Sequence, residues 1–208
     1  MGSDLGRCWS SIETPALLVD LDVMEATILR WQTVFDTAGV DFRPHIKTHK
    51  SPAIAACQVA AGAVGIAVAK VAEAEVFAAA GFRDLSIAYP VVGASKWRRL
   101  AELARTCTLS VNVENELAAR GLSDAAVAAG SVVRVLLDIN IGSNRTGMRP
   151  EDAEAMGRLI ISLPGLELEG ITGYRSSTFP GAAGRSPADV GRDEGELLVE
   201  LAEQLRAA

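Results

Sequence analysis

The sequence predicts an α/β fold built as a TIM-type (β/α) barrel, with about six of the eight strands of such a barrel present. Short apolar runs alternate with helical segments along most of the 208 residues, as in parallel strands joined by crossover helices. The runs are apolar almost throughout, which is typical of a sheet covered on both faces. No Gly-x-Gly-x-x-Gly follows any of them, so the usual mark of an open dinucleotide-binding sheet is missing.

The first elements are predicted from capping signals. Residues 1–13 carry little pattern and are expected to form a loose start, before a strand-like run at 15–21 (PALLVDL). Asp22 and Glu25 form a capping box that opens a helix, and Gly39 ends it. One face of this helix is expected to be buried, because four apolar residues recur at helical spacing: Met24, Ile28, Trp31 and Phe35.

The rest of the chain repeats one theme. A strand beginning at 40–42 leads into a basic stretch, and further strands are predicted at 64–69, 84–89, 109–113, 132–139 and 166–174. Helices are predicted from Ser51 to Gly62, at 71–80, 95–105, 115–129 and 150–163, and from about 191 to the end. The last helix has neither a C-cap glycine nor a closing turn, so we expect residues 14–208 to form an unfinished barrel.

Composition excludes several classes of protein. The net charge of −6 argues against nucleic acid as a main partner. Cys8, Cys57 and Cys107 are widely spaced and odd in number, which fits neither a disulfide framework nor a metal site and favours a cytoplasmic protein. Residues 1–15 lack the pattern of a signal peptide, and the longest apolar run, 59–69, is too short to cross a membrane.

The most informative stretch is RPHIKTHK at 43–50, which holds both histidines of the chain. If the strand continues through it, Arg43, His45 and Lys47 project from one face. Cations around Lys47 would disfavour its charged form and leave more free amine to attack a carbonyl, as a Schiff-base lysine requires. The alternative is a solvated basic turn or a patch that binds phosphate weakly.

Two further stretches contain candidate site residues. In DINIGSNRTG at 138–147, two glycines shape a loop that would bring Arg145 over the strand ends, where it could hold an oxyanion or a phenolate. In GITGYRSS at 170–177, Tyr174 could lie flat against an aromatic ligand, while Ser176 and Ser177 could donate to a phosphate. The alternatives are a solvated arginine and a packing tyrosine.

These residues belong to a wider pattern at the carboxyl ends of the predicted strands, where a barrel enzyme builds its site. Polar or reactive residues occupy five such positions: Lys47, Lys70, Tyr89, Asn140 and Tyr174. Lys70 is interpreted mainly as a strand end, with Glu73 and Glu75 nearby to pair with it.

The motifs TPALLVDLD, RPHIKTHK, AVAKVAEAE, DINIGSNRTGMRP and GITGY, in this order, resemble the amino-terminal barrel domain of alanine racemase-like (fold type III) pyridoxal phosphate enzymes. The wording is most similar to the D-threonine aldolase and D-serine dehydratase branch, over about residues 13–208. The resemblance implies that Lys47 carries the cofactor, that Arg145 lies near its phenolic oxygen, and that Tyr174 contacts it. His45 and Arg43 are expected to line the same pocket. The family often has glycine and histidine soon after the tyrosine, whereas this chain continues Arg175-Ser176-Ser177, which leaves substrate preference open.

The resemblance also implies a function and missing parts. We expect a pyridoxal phosphate-dependent lyase that acts on β-hydroxy D-amino acids, as an aldolase or a dehydratase, and that forms a homodimer when full length. A C-terminal β-domain, absent from this chain, would bind a divalent metal such as manganese, zinc or magnesium, so we expect the 208-residue chain alone to be inactive. The alternatives are an amino-acid racemase, a non-catalytic pyridoxal phosphate carrier, and a fragment that binds no cofactor.

Overall fold

The computed structural model describes residues 11–175 and 180–208. Five strands lie within these residues: β1 (Ile66–Val68), β2 (Asp84–Ile87), β3 (Thr108–Val113), β4 (Val133–Ile139) and β5 (Leu166–Gly173). Seven α-helices accompany them: α1 (Leu21–Ala38), α2 (Pro52–Ala60), α3 (Val71–Ala79), α4 (Ala94–Leu103), α5 (Glu116–Ala129), α6 (Ala153–Ser162) and α7 (Pro187–Ala207). Short 3₁₀ turns at Pro150–Asp152 and Pro180–Ala182 precede the last two helices.

The five strands form one parallel sheet in the order β1-β2-β3-β4-β5. Sequential order with a helix between neighbours is the arrangement of a (β/α) barrel, and the predicted partial barrel is confirmed, since the described strands do not close on themselves. The predicted strand at 40–42 is reduced to a single bridge, in which His45 pairs with Ala67. The Ile46 N–H donates to the Ala67 carbonyl at 2.9 Å, so this segment continues the sheet beyond β1.

The prediction of a strand at 15–21 is wrong. These residues pair with no strand among the described parts of the chain, and Leu17 is 100% exposed. An apolar run forms a strand only when neighbours satisfy its backbone groups and cover its side chains, and here nothing does so.

The helix that follows begins earlier than predicted. Its N-cap is Asp20, whose carboxylate accepts from the Val23 N–H at 3.1 Å, while Asp22 lies in the first turn. The predicted end is confirmed, because Gly39 caps the helix in the left-handed conformation.

Replacing Asp20 by alanine is therefore expected to lower the free energy of unfolding by about 1 kcal/mol, because the cap hydrogen bond is lost. Asp22→Ala, the matched control two residues away, should cost only a few tenths of a kcal/mol, since it removes a favourable charge from the first turn. Urea unfolding followed by circular dichroism measures both. Equal losses in the two variants would contradict the assignment of Asp20 as the cap.

The two faces of the sheet differ in chemistry. On the helix-covered face the side chains are apolar and almost fully buried: Leu85, Ile87, Leu109, Val111, Val133, Val135, Leu137 and Ile139. The opposite face is mostly small or polar, and it buries Ser86, Ser110, Asn112 and Asp138. The helix-covered face is buried as predicted, whereas on the second face, which lines the interior of a barrel, Ser110, Asn112 and Asp138 are buried with hydrogen bonds.

Two helices also differ from prediction. The buried face of α1 is incomplete, because Trp31 is 50% exposed while Gln32 is buried. Helix α7 begins at Pro187 after Ser186, whose side chain accepts from the Asp189 N–H, rather than at about residue 191. On α7, Leu198, Leu201 and Leu205 pack against the core, whereas Leu197 is 43% exposed.

Some apolar surface has no neighbour in the described structure. Leu17, Leu18 and Val19 lie in an exposed segment without regular secondary structure, and β5 pairs with β4 along one side only. Among the described helices, none has the length and apolar character needed to cross a membrane.

Candidate functional site

The carboxyl ends of the strands carry the residues that the sequence singled out. Lys70 and Tyr89 lie two residues beyond β1 and β2, while Asn140 and Tyr174 directly follow β4 and β5. Lys47 occupies the equivalent place beyond the His45–Ala67 bridge. Because the strands are parallel, all five residues lie at one end of the sheet.

Lys47 sits in a single helical turn. The turn runs from Ile46, which is fully buried, to Lys50, whose N–H donates to the Ile46 carbonyl at 2.8 Å. Lys47 and Thr48 are exposed between these two anchors. The predicted alternation of faces is therefore present up to Ile46, and the turn then presents the Lys47 side chain to the surroundings.

His45 lies directly beside this lysine. Its Nδ1 accepts a hydrogen bond from the Lys47 N–H at 3.3 Å, which places the proton of the neutral imidazole on Nε2. Burial lowers the pKa of His45, and the charge of Lys47 lowers it further. His45 is thus a neutral imidazole at neutral pH, next to the exposed amine.

His49 has a structural role in the same segment. Its Nδ1 accepts from the Ser51 N–H at 3.0 Å, and its Nε2 lies 3.3 Å from Gln58 Oε1. Burial lowers the pKa of this imidazole as well. These bonds tie the end of the basic stretch to α2, for which Ser51 is the N-cap.

Lowering the pH from about 8 to about 5 is accordingly expected to reduce the free energy of unfolding. Both histidines have folded pKa values below the ordinary value of 6.5, so the unfolded chain binds more protons in that window. Their contribution is complete above pH 6.5 and is lost as the pH falls through the folded pKa values. Urea titrations across this range, compared with His49→Asn as a control with a reduced pH dependence, check the expectation. Identical pH profiles would contradict it.

Arg43 is not brought into the site. Its Nη1 lies 2.6 Å from Oδ1 of Asp84, the first residue of β2, and it packs against Gly65. Asp84 marks the amino end of that strand, so Arg43 lies at the opposite end of the sheet from Lys47. The expectation that Arg43 lines the pocket is corrected by this ion pair.

Arg145 and Tyr174 do come together. The guanidinium carbon of Arg145 lies 4.8 Å from the centroid of the Tyr174 ring, a cation–π contact between exposed side chains. The loop from β4 and the residue that follows β5 therefore meet. Ser176 and Ser177, predicted as phosphate donors, lie outside the described residues.

The loop that carries Arg145 is closed by hydrogen bonds. Asn140 Oδ1 accepts from the N–H groups of Gly142 and Asn144 at 3.0 and 3.2 Å, and Asn140 Nδ2 donates to Asn144 Oδ1 at 3.0 Å. The Gly147 N–H donates to Glu114 Oε2 at 2.7 Å, which ties the loop to the residue after β3. A cavity of about 350 Å³ opens at this corner, lined by the following residues: Glu114, Asn115, Asn140, Asn144, Arg145, Thr146 and Gly147.

Asp138, near the end of β4, is hydrogen-bonded to the loop that carries Arg145. It is 4% exposed, and burial raises the pKa of its carboxyl even though Thr146 and Asn112 donate hydrogen bonds to it. Asp138 therefore joins the strand to the loop residue next to Arg145.

The two glutamates predicted to pair with Lys70 form ion pairs with other cations. Glu73 pairs with Lys50, at 3.1 Å, and Glu75 pairs with Arg99. Glu114 is not among the residues predicted from the sequence, although its place directly after a strand is the signal that predicts Asn140 and Tyr174. Across the described residues, no group of three or more His, Cys, Asp or Glu side chains could hold a metal ion.

The chain is similar in sequence and fold to several known proteins. D-threonine aldolase from Arthrobacter sp. is 36% identical over 94% of the chain and 52% of its own length. The crystal structure of D-threonine aldolase from Filomicrobium marinum matches with a TM-score of 0.76 and 41% identity, over 77% of the chain and 43% of that structure. D-threo-3-hydroxyaspartate dehydratase from Delftia sp. HT23 matches with a TM-score of 0.83 and 33% identity, over 95% of the chain and 52% of that structure.

The chain thus spans about half the length of these relatives. The family model of the alanine racemase N-terminal domain matches residues 19–208, which include every strand and helix described above. The chain therefore belongs to the alanine racemase N-terminal domain family.

Proposed function

We propose that this chain is the barrel part of a pyridoxal phosphate-dependent lyase that acts on β-hydroxy D-amino acids. The observation that carries the proposal is the exposed Lys47 amine at the same end of the sheet as the Arg145–Tyr174 pair. Pyridoxal 5′-phosphate is the cofactor of fold type III enzymes in this family. The similar proteins described above are named as aldolases and a dehydratase that act on such substrates.

The side chains present fit this cofactor. An aldehyde is captured by a primary amine that can lose its proton, and Lys47 supplies an exposed one. A phenolic oxygen carries negative charge that a guanidinium such as Arg145 stabilises. The aromatic ring of Tyr174 offers a flat apolar surface for another ring. A neutral imidazole, His45, completes the set, and none of the ion pairs seen between described residues involves Lys47.

Each residue then has a defined task. Lys47 would hold the cofactor, Arg145 would bind near its phenolic oxygen, and Tyr174 would contact it, while His45 would keep the lysine turn in place through its Nδ1. When bound, the cofactor acts as an electron sink for the bond broken at Cα. The turn, loop and ring thus orient one end of the site, and residues beyond this chain would complete it.

The proposal includes two reactions, dehydration and aldol cleavage, which need a base at different atoms of the substrate. A dehydratase needs Lys47 Nζ to take the proton from Cα before the hydroxyl leaves. An aldolase needs a base at the β-hydroxyl, where a divalent metal could act as a Lewis acid. We place that metal, whether manganese, zinc or magnesium, in a C-terminal β-domain of a homodimeric full-length protein.

The test begins with the protein mixed with pyridoxal phosphate and reduced with borohydride. We expect a new absorption band and, by peptide mass spectrometry, a cofactor mass fixed on Lys47. The complete protein is then given D-threonine and D-serine. Glycine with acetaldehyde indicates an aldolase, pyruvate indicates a dehydratase, and interconversion of alanine enantiomers indicates a racemase. Absence of the band from the complete protein would overturn the proposal.

A further inference from the structure

The turn that carries Lys47 is connected to the end of β1 by a buried carboxylate with no task in the proposed reaction. Glu73 lies in the first turn of α3 and is 8% exposed. Its Oε2 accepts a hydrogen bond from the Ala69 N–H at 2.8 Å, immediately after β1. Burying a carboxylate is unfavourable unless it is paired, so its partners indicate its role.

Lys50, the second partner, closes the Lys47 turn. Its Nζ lies 3.1 Å from Glu73 Oε1, and its backbone N–H donates to the Ile46 carbonyl. Its φ of +50° lies in the left-handed region, which residues other than glycine rarely adopt. Such a conformation persists when the surroundings hold it, and the ion pair with Glu73 holds the side chain of this residue.

The charges around Glu73 are consistent with an ionised side chain. Burial alone would raise its pKa, but the Ala69 hydrogen bond and the contact with Lys50 outweigh it, so the pKa is lowered. The Glu73 charge also reaches His45, where it opposes the effects of burial and of Lys47 on the pKa of the imidazole. One carboxylate therefore contacts the strand end and the closing residue of the turn, and its charge acts on His45, the neighbour of Lys47.

We propose that Glu73 is a positioning residue for Lys47. It fixes residues 46–50 against the end of β1 through Lys50, so that the Lys47 amine is presented at the carboxyl end of the sheet. The inference rests on the proposed function for the chemistry of Lys47, whereas the anchoring of the turn can be tested without any cofactor.

The test compares Glu73→Gln with Glu75→Gln. Glu75 lies on the same helix and also pairs with a cation, but that cation is Arg99 of α4 rather than a residue of the Lys47 turn. The cofactor-free readout is amide hydrogen exchange at Ala69 and Lys50. Loss of a charge-assisted hydrogen bond should speed exchange at both amides by about tenfold or more in Glu73→Gln. Glu75→Gln should exchange like the wild type.

The second readout is the rate at which pyridoxal phosphate and borohydride label Lys47. We expect slower labelling in Glu73→Gln and unchanged labelling in Glu75→Gln. If Glu73→Gln exchanges faster as expected but the wild type is never labelled, the proposed function fails and the anchoring of the turn by Glu73 stands. Wild-type exchange in Glu73→Gln, or equal loosening in Glu75→Gln, would overturn the positioning role.

A second pair of variants covers the case in which Glu73→Gln does not fold. The Lys50 side chain is 58% exposed, so Lys50→Met should leave the core intact while removing the ion pair. Lys50→Arg keeps the charge and should restore slow exchange of the Lys50 amide. If Lys50→Met exchanges as slowly as Lys50→Arg, Glu73 does not act through Lys50 and the inference is wrong.

Discussion

Lys47→Ala is expected to abolish labelling by pyridoxal phosphate and borohydride at the turn and to lower kcat of the complete protein roughly thousandfold or more. Neither described neighbour in the turn supplies a free amine in its place, because His45 carries an imidazole and Lys50 is bound to Glu73. Lys47→Arg should fail equally, since a guanidinium keeps its proton and cannot attack an aldehyde. Absorption spectra, peptide mass spectrometry and steady-state rates measure the effect.

Lys96→Ala is the control for this experiment. Lys96 is an exposed lysine of α4, the helix that follows β2, whereas the Lys47 turn lies beside β1, so labelling of Lys47 and rates should be unchanged. Labelling that moves from Lys47 to other lysines with no change in rate would show that the reaction does not depend on Lys47.

Gly147→Ala is expected to cost about 2–4 kcal/mol of stability and to displace the loop that carries Arg145. Gly147 has a φ of +102°, and a Cβ there would lie 2.4 Å from the Asn140 nitrogen and 2.6 Å from the Ile139 carbonyl carbon. Both neighbours are backbone atoms, so the loop must shift. The shift would also weaken the bond from the Gly147 N–H to Glu114.

Gly39→Ala is the matched control, because Gly39 also has a positive φ, +67°, but has open space where a Cβ would lie. It should cost only about 1 kcal/mol. Urea unfolding measures both changes, and for Gly147→Ala the cofactor spectrum reports on the loop. Equal losses of stability in the two variants would contradict the prediction, because the clash of a Cβ at Gly147 would then have no cost of its own.

Strand order made most of the site predictable. Alternating strands and helices imply parallel pairing, and parallel pairing gathers the strand ends, which is how Lys47, Asn140 and Tyr174 were located. The contact between Arg145 and Tyr174 follows the same logic, because β4 and β5 are neighbours.

Arg43 was misplaced because the two-residue period predicts only the face of a strand. Lys47 lies four positions after Arg43, about 13 Å along an extended chain, so a shared face does not mean a shared end. The ion-pair partners, such as Lys50 for Glu73, could not be predicted from the sequence either, because they depend on how a turn and a helix approach each other in three dimensions. The start of α7, by contrast, is predictable from the sequence, because the Ser-Pro signal that predicts the start of α2 recurs at Ser186 and Pro187.

Within the described residues β5 pairs along one side only and the apolar residues 17–19 are exposed, which has a practical consequence for solution work. An unpaired strand edge and an uncovered apolar segment are surfaces through which two copies of a chain associate. Association would add a concentration-dependent term to every unfolding curve. Measurements on Asp20→Ala or Gly147→Ala therefore need two protein concentrations and a sedimentation profile, so that stability is separated from self-association.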